Sequence, residues 1–189
     1  VKNVILAYAT ILIVCAAYCA AVNTISMYTS SFAESIGISP SSSAYMLTIY
    51  NVGCFLGSLA FILILRKVKT QKVLIINNVC AALALLIALF INKAAVYFAG
   101  VFIAGFFLGV LFSVIVAIAT RIGYKRISRA ASLVAIVGGA SDILTPIITG
   151  FLVKKVGIGF SFRYAVIMII ITLIAAGVLM VNTTEKECA

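Results

Sequence analysis

An aspartate at the centre of a long apolar stretch is the residue in this sequence best placed to do chemistry. Asp142 lies in SLVAIVGGASDILTPIITGFL, residues 132–152, and is the only acidic residue within an apolar span of the chain. A carboxylate at bilayer depth costs about 3 kcal/mol or more and usually marks an ion or substrate pathway. Asp142 therefore has two interpretations: a proton, cation or substrate site, or a structural ion pair or hydrogen bond with a partner such as Asn23 or Asn51.

The neighbours of Asp142 loosen and polarise its helix. Steps of three and four residues predict one helical face formed by Ala135, Gly139, Asp142, Thr145, Pro146 and Thr149. Pro146 removes one backbone hydrogen bond, which neighbouring Thr or Gly backbone groups must compensate or accommodate by bending. The elements that position this face come from the rest of the chain.

The composition excludes a water-soluble protein. Of the 189 residues 65% are hydrophobic and 10% charged, and the mean hydropathy is +1.31, whereas soluble domains carry about 25% charged residues. The net charge of +10 comes from short basic clusters between apolar runs. Because these clusters have no interleaved aromatic residues and no soluble domain to carry a binding groove, we expect no nucleic-acid partner. The lipid bilayer is the expected solvent.

Enzymatic chemistry has little support. The chain contains no His, its five Cys form no C-x-x-C pair, and it has neither a Ser-x-x-Lys motif nor paired acids within the spans. The commonest metal ligand and the usual base near neutral pH are therefore absent. We expect buried structural cysteines, no metal site, no cofactor and no enzyme activity.

Six apolar segments approach the roughly 20 residues that a membrane-spanning helix needs. They predict an all-α membrane protein, a single six-helix transmembrane bundle over residues 1–189. The predicted spans are 4–28, 44–65, 73–91, 95–120, 132–152 and 164–181. The polar loop SSFAESIGISPSSS separates the first two, and no linker is long enough to divide the chain into soluble domains.

The basic residues predict an orientation. Ten of the 14 Lys and Arg fall on one side, at Lys2, in 66–72, in 121–129 and at Lys186. Since cytoplasmic loops carry the Lys and Arg excess, both termini are expected in the cytoplasm, in a bacterial plasma membrane. Lys93, Lys154, Lys155 and Arg163 fall on the other side, and the Lys154–Lys155 pair runs against the trend.

The spans differ in polarity. The third and sixth contain very few polar residues, which indicates lipid-facing helices. The first carries several polar side chains, and the second and fourth contain small residues at four-residue steps, Gly53 and Gly57, then Gly105 and Gly109, typical of close helix packing in lipid. The candidate substrate-binding residues are Tyr18, Asn23, Tyr28, Tyr50, Asn51, Ser113 and Thr145, with Asp142 as the candidate proton or cation site.

The chain resembles the C-terminal six-helix half of a major facilitator superfamily transporter. The segments GFFLGVLFSVIVAIATRIG and ASLVAIVGGASDILTPIITGFLVKKVG are similar to the tenth and eleventh helices of such proteins. Gly138, Gly139, Pro146 and Gly150 resemble a pattern of the fucose–galactose–glucose:proton symporter branch, and Asp142 is not part of that pattern. After the second span Gly57 and Leu59 match the family's loop motif, but Phe61 stands in place of its Asp.

The resemblance implies alternating access, in which two six-helix bundles rock about a site at the midplane. It implies that the first and fourth helices line a cavity, the second and fifth flank it, and the third and sixth face lipid. It also implies a second six-helix bundle, either upstream on the same chain or on another subunit. Because it starts with Val1 rather than Met, the chain is expected to be a fragment or a processed piece of something longer. The sequence leaves open whether it is half of a twelve-helix transporter or a dimerising half-transporter.

These observations predict half of a secondary active transporter for a small organic solute, coupled to protons through Asp142. Tyr and Asn suit neutral, hydroxylated solutes, and the lack of Arg and Lys within the first span argues against a strongly anionic substrate. The alternative is a non-transporting helical bundle, a membrane interaction or scaffold module, in which Asp142 is tied to a partner helix. An intramembrane enzyme is a third and weaker reading.

Overall fold

The structure is a computed structural model that describes residues 4–91, 93–123 and 126–182. Within these residues the fold is all helical, without strands. The helices are α1 (Val4–Ser35), α2 (Pro40–Ser43), α3 (Met46–Ile64), α4 (Thr70–Phe90), α5 (Ala94–Leu108), α6 (Leu111–Ile122), α7 (Ile127–Val156) and α8 (Gly159–Asn182). Lys2, Lys125 and Lys186, which contribute to the predicted orientation, lie outside the described residues.

Six helical segments are long and apolar enough to cross a membrane, as the sequence predicts. They are Val4–Ser35, Pro40–Ile64, Thr70–Phe90, Ala94–Ile122, Ile127–Val156 and Gly159–Asn182. Each predicted span falls on one of these segments, and most helices continue beyond the apolar stretch by several residues. The extension is longest at the end of α1, which reaches Ser35 rather than residue 28. Helix geometry continues there because the added residues, unlike Gly37 and Pro40, contain no helix breaker.

Tight turns join the helices at the end of the bundle to which α1 and α7 lead. Gly37 and Gly157 have positive φ values of 87° and 99°, a conformation that a residue with a Cβ adopts only with strain. Ser39 then begins α2, where its side chain accepts a hydrogen bond from the backbone N–H of Ser42 at 3.4 Å. Pro40 follows at the first helical position, where its missing N–H costs nothing.

The long helices pack around a common core. α1 lies against α7 and α8, α5 lies against α3 and α4, and α4 also contacts α8. The core between them is formed by aliphatic side chains together with a cluster of rings. Phe162 stacks against Phe32 at 4.5 Å between centroids and lies 5.6 Å from Tyr97.

Glycines bring α3 and α5 into backbone contact. A Cβ on Gly53 or Gly57 would overlap the backbone carbonyls of Phe102 and Phe106, and a Cβ on Gly105 or Gly109 would overlap the backbone of α3. The arrangement is therefore reciprocal: two glycines on each helix lie against the backbone of the other helix. This is the close packing that the four-residue spacing predicts.

Two helices bury only a narrow stripe. The buried residues of α7 follow steps of three and four, at Ala130, Val134, Gly138, Ser141, Thr145 and Thr149. Those of α3 do the same, at Met46, Tyr50, Gly53, Gly57 and Phe61. The remaining faces of both helices are exposed and mostly apolar, with Asn51 of α3 and Asp142 of α7 among their polar residues, so α3 and α7, the second and fifth spans, are the least covered of the described spans.

Candidate functional site

The polar residues of α1 and α7 meet along a single seam. We define the α1–α7 seam by Cys15, Asn23 and Tyr28 on α1 and by Asp142 and Thr149 on α7. The two helices run parallel, since contacts near the start of one join the start of the other: the Cys15 thiol donates to the Val134 carbonyl at 3.6 Å. Towards the other end, the Tyr28 hydroxyl lies 3.5 Å from that of Thr149. The seam thus carries polar groups along much of the membrane-spanning length.

Asp142 pairs with Asn23 at the middle of the seam. The Asn23 amide nitrogen Nδ2 donates to Asp142 Oδ1 at 2.5 Å. Asp142 is exposed and Asn23 is half-buried, so the pair lies on an open side of the bundle rather than in its core. Of the two partners that the sequence offers for Asp142, the structure selects Asn23.

Pro146 adds polarity next to this pair. The residue four positions before a helical proline loses its backbone partner, and that residue is Asp142. α7 nevertheless continues from Ile127 to Val156 through the proline. One turn later, the Thr149 hydroxyl donates to the Thr145 carbonyl at 2.7 Å. Asp142 therefore presents a carboxylate together with a main-chain carbonyl that lacks its usual helical donor.

A glycine lets the seam meet a third helix. A Cβ built on Gly138 would lie 3.7 Å from both the Cys19 sulfur and the Phe112 ring, so α1, α6 and α7 converge at this point. Gly139, one residue on, has nothing within 4 Å of such a Cβ and faces open space. The open side of α7 therefore begins beside the convergence and includes Asp142.

The fourth span, Ala94–Ile122, agrees with the predicted span over residues 95–120, but its helix is interrupted for two residues. α5 ends at Leu108 and α6 begins at Leu111. The Asn77 side chain donates to the Phe107 carbonyl at 3.0 Å, and the Tyr18 hydroxyl donates to the Leu108 carbonyl at 2.9 Å. Carbonyls at a helix end need such partners, and no water is present in hydrocarbon to supply them.

The structure brings some of the candidate substrate-binding residues together and separates others. Asn23 and Tyr28 lie on the seam beside Asp142, and Thr145 is buried in it. Tyr18 is buried against the break in the fourth span, where its hydroxyl is already used. The remaining three, Tyr50, Asn51 and Ser113, lie on α3 and α6.

These last three differ in exposure. Tyr50 is 1% exposed and packs against Gly105 of α5, so it belongs to the glycine contact between α3 and α5. Asn51 and Ser113 are exposed. No candidate is excluded by this placement, but only Asn23 and Tyr28 are both on the seam and partly open.

Two polar contacts were not singled out by the sequence. The Ser141 hydroxyl donates to the Ala16 carbonyl at 2.9 Å and ties α7 to α1. The Tyr97 hydroxyl donates to the Thr29 carbonyl at 3.0 Å and joins α5 to α1. Ser141 could have been found from its four-residue steps to Thr145 and Thr149, which mark the buried stripe of α7. No comparable repeat precedes Tyr97.

The comparison with protein families decides the identity of this bundle. The profile described as Major Facilitator Superfamily matches residues 10–187, nearly the whole chain. The chain belongs to the major facilitator superfamily. A comparison with curated proteins finds no match.

Membership in the superfamily confirms the resemblance read from the sequence. It makes the chain a membrane transporter with a small-molecule substrate, an integral multi-pass protein in a lipid bilayer, and its six helices fit half of the superfamily fold. The similarity to the fucose–galactose–glucose:proton symporter branch stays a prediction, as do the site residues.

Proposed function

We propose that this bundle is one half of a secondary active transporter that moves a small organic solute by alternating access, with Asp142 as the proton or cation coupling site. The observation that carries the proposal is the Asn23–Asp142 pair, a carboxylate in a spanning helix that is hydrogen-bonded yet exposed. An acid kept at membrane depth solely to join two helices would be expected in the buried stripe of α7, where Ser141, Thr145 and Thr149 lie.

The residues around the pair favour a neutral, hydroxylated solute. Asn23 and Tyr28 offer amide and phenol groups that both donate and accept hydrogen bonds. No Lys or Arg occurs within the apolar part of α1, so nothing there would neutralise a strongly anionic substrate. Asn51 on α3 and Ser113 on α6 are further exposed polar groups that would contact a solute held on the open side.

The open faces of α3 and α7 support a second six-helix bundle as partner. Leu56 and Leu59 on α3 and Ile143 and Ile147 on α7 are each at least 43% exposed. In alternating access, two bundles rock about a site between them. A partner across these faces would enclose Asp142 between the two bundles.

The topology also supports an orientation. Successive spanning helices alternate in direction, so the turn between α3 and α4 lies at the same end of the bundle as the end of α6 and the start of α7. The described basic residues at this end are Arg66, Lys67, Lys69, Lys72, Arg121, Arg126 and Arg129. We place that end, with both termini, in the cytoplasm of a bacterial plasma membrane, and we expect the transporter to act as a symporter.

A second candidate function is supported by the same hydrogen bond. A scaffold module that transports nothing would also tie Asp142 to a neighbouring helix, and Asn23 does so. The two functions differ in whether water reaches the pair, since a transporter needs an aqueous path to its site.

Thiol labelling distinguishes them. In the full chain with its five native cysteines replaced, single cysteines N23C and D142C are treated in membrane vesicles with a membrane-impermeant maleimide. A81C, at a position with 0% exposure, and S41C, at an exposed position on α2, give the unreactive and reactive limits. We expect both seam cysteines to react at rates close to S41C. Rates as low as A81C at both positions would reject the transporter proposal and favour the scaffold.

A further inference from the structure

A groove opens between α7 and α8, on the side of α7 away from Asp142. Its floor is formed by Ala16, Ala17 and Ala20 of α1, and its volume is about 460 Å³. Leu144 forms part of its wall, and since Leu144 is two residues from Asp142, the two side chains point about 200° apart around the helix. The Asp142 side chain therefore points away from the groove, and Ser141 and Thr145 of the buried stripe, which also line the groove, lie between the two. We call this groove the α7–α8 groove.

The groove exists because of the alanines. α1 packs closely against α8 and also against α7, but α7 and α8 contact each other little. Small side chains between them leave a trough, with Ile148 of α7 on one wall and Tyr164 and Met168 of α8 on the other. The trough is almost wholly apolar, and its volume lies within the range of about 300–1,000 Å³ typical of ligand sites.

Cations stand at one end of this groove. Lys155 is seven residues beyond Ile148 and therefore on the same face of α7. Its ammonium lies 4.4 Å from the centroid of the Phe151 ring, so the side chain folds back along α7 by about one turn. Lys154 and Arg163 lie on the two sides of the turn between α7 and α8, and both are exposed.

The stretch of chain that carries these three cations supplies no acid. Residues 143–182 contain no Asp or Glu. Glu34, at the end of α1, accepts a hydrogen bond from Ser43 at 2.9 Å. The cations also lie at the end of the bundle where the distribution of basic residues predicts few, so orientation in the membrane does not account for them.

We propose that the α7–α8 groove binds an anionic phospholipid, with an acyl chain along the alanine floor and the phosphate at Lys155, Lys154 and Arg163. A basic cluster beside an apolar trough between spanning helices matches both parts of such a lipid. A partner helix is a poorer occupant, because a spanning helix about 10 Å wide and 30 Å long fills roughly 2,000 Å³ or more. A single acyl chain is narrow enough to be enclosed.

Native mass spectrometry of the full chain tests this assignment. The purified protein is exchanged into detergent with equal amounts of phosphatidylglycerol and phosphatidylcholine of identical acyl chains, and the retained lipids are counted. Each cation near the headgroup contributes about fivefold to anionic-lipid affinity. We expect a preference for phosphatidylglycerol that falls about fivefold in K155Q alone and, with three cations removed, by up to about 100-fold in K154Q/K155Q/R163Q.

A charge-matched control removes three cations from the opposite end of the bundle. R66Q/K67Q/K72Q should leave the preference within about twofold of the unmodified protein. An equal fall in both triple variants would show a general charge effect and overturn the proposal. So would an unmodified protein that retains the two lipids equally.

The apolar part of the groove has its own test. Ala140 lines the groove and is exposed, so A140F fills it without entering the buried stripe of α7. We expect A140F to reduce retention of both lipids, whereas A135F, at an exposed position about 140° away around the same helix, should leave retention unchanged. Equal retention by A140F and the unmodified protein would overturn the groove as the acyl-chain site. Circular dichroism and a monodisperse elution profile establish that each variant is folded.

Discussion

The amide nitrogen of Asn23 and the carboxylate oxygen Oδ1 of Asp142 lie 2.5 Å apart across the α1–α7 seam, and the aspartate is still exposed. The contact joins the first and fifth spans and leaves a second carboxylate oxygen for a proton, a cation or a solute. Structural and functional interpretations of Asp142 are therefore compatible, and the variants below separate their contributions.

A double-mutant cycle measures the structural contribution. Asn23→Ala and Asp142→Ala should each lower the free energy of unfolding, and the two changes together should cost less than their sum. We expect a coupling energy of about 0.6–1.7 kcal/mol, the range for hydrogen bonds between spanning helices. Unfolding of the purified protein in mixed micelles of increasing SDS content gives these free energies.

The control cycle pairs Asp142→Ala with Asn51→Ala. Asn51 is the other partner that the sequence offers, but it lies exposed on α3. Its coupling to Asp142 should be near zero. A coupling as large as that of Asn23 would show that Asp142 contacts α3 in the membrane.

The glycine contact between α3 and α5 predicts a large effect from one methyl group. Gly57→Ala places a Cβ against the Phe106 carbonyl, and because backbone atoms cannot move aside, we expect a loss of about 1–3 kcal/mol in the free energy of unfolding. Gly139→Ala is the matched control, since its Cβ meets nothing within 4 Å. There the better helix propensity of alanine should stabilise the protein slightly, by up to about 1 kcal/mol. Equal effects of the two substitutions in the SDS titration would contradict the packing seen here.

Much of this fold follows from the sequence because the bilayer restricts the solutions. Hydrocarbon thickness fixes the length of a spanning helix, so six apolar stretches predict six helices. The four-residue spacing of Gly53 and Gly57, and of Gly105 and Gly109, likewise predicts close packing, since small residues are what allows backbones to meet in lipid. Which two helices meet is a tertiary result that spacing alone does not contain.

The candidate site is less predictable from the sequence, because it depends on which helices meet. Asp142 is recognisable in the sequence by its charge, and Asn23 and Asn51 are its candidate hydrogen-bond partners. Choosing between these two asparagines requires the position of α3 relative to α7. The sequence predicts Tyr50 and Tyr18 as cavity residues. The residue type alone does not show whether the hydroxyl of a tyrosine in a spanning helix contacts a solute or lies against the protein backbone. The break between Leu108 and Leu111 is hidden because the sequence there is apolar on both sides.

That break predicts a structural role for Tyr18. Its hydroxyl donates to the Leu108 carbonyl at 2.9 Å in a site that is 6% exposed. Tyr18→Phe removes the donor and should lower the free energy of unfolding by about 0.6–2 kcal/mol. Tyr45→Phe, at 65% exposure, is the control and should change stability by less than about 0.5 kcal/mol. If Tyr18→Phe matched Tyr45→Phe in the SDS titration, the hydroxyl would not be holding the end of α5.

Asp142→Asn separates coupling from structure. The asparagine has nearly the size of aspartate and its carbonyl oxygen accepts the hydrogen bond from Asn23, so the helix contact should survive. It cannot bind and release a proton, so uptake of a neutral, hydroxylated solute driven by an imposed pH gradient should fall to the level without a gradient. Exchange of solute at equal concentrations on both sides needs no net proton movement and should persist. Both rates are measured in proteoliposomes, with Asp142→Glu as the variant expected to keep gradient-driven uptake. Should Asp142→Asn respond to the gradient as the unmodified protein does, Asp142 is a structural residue and the coupling site lies elsewhere.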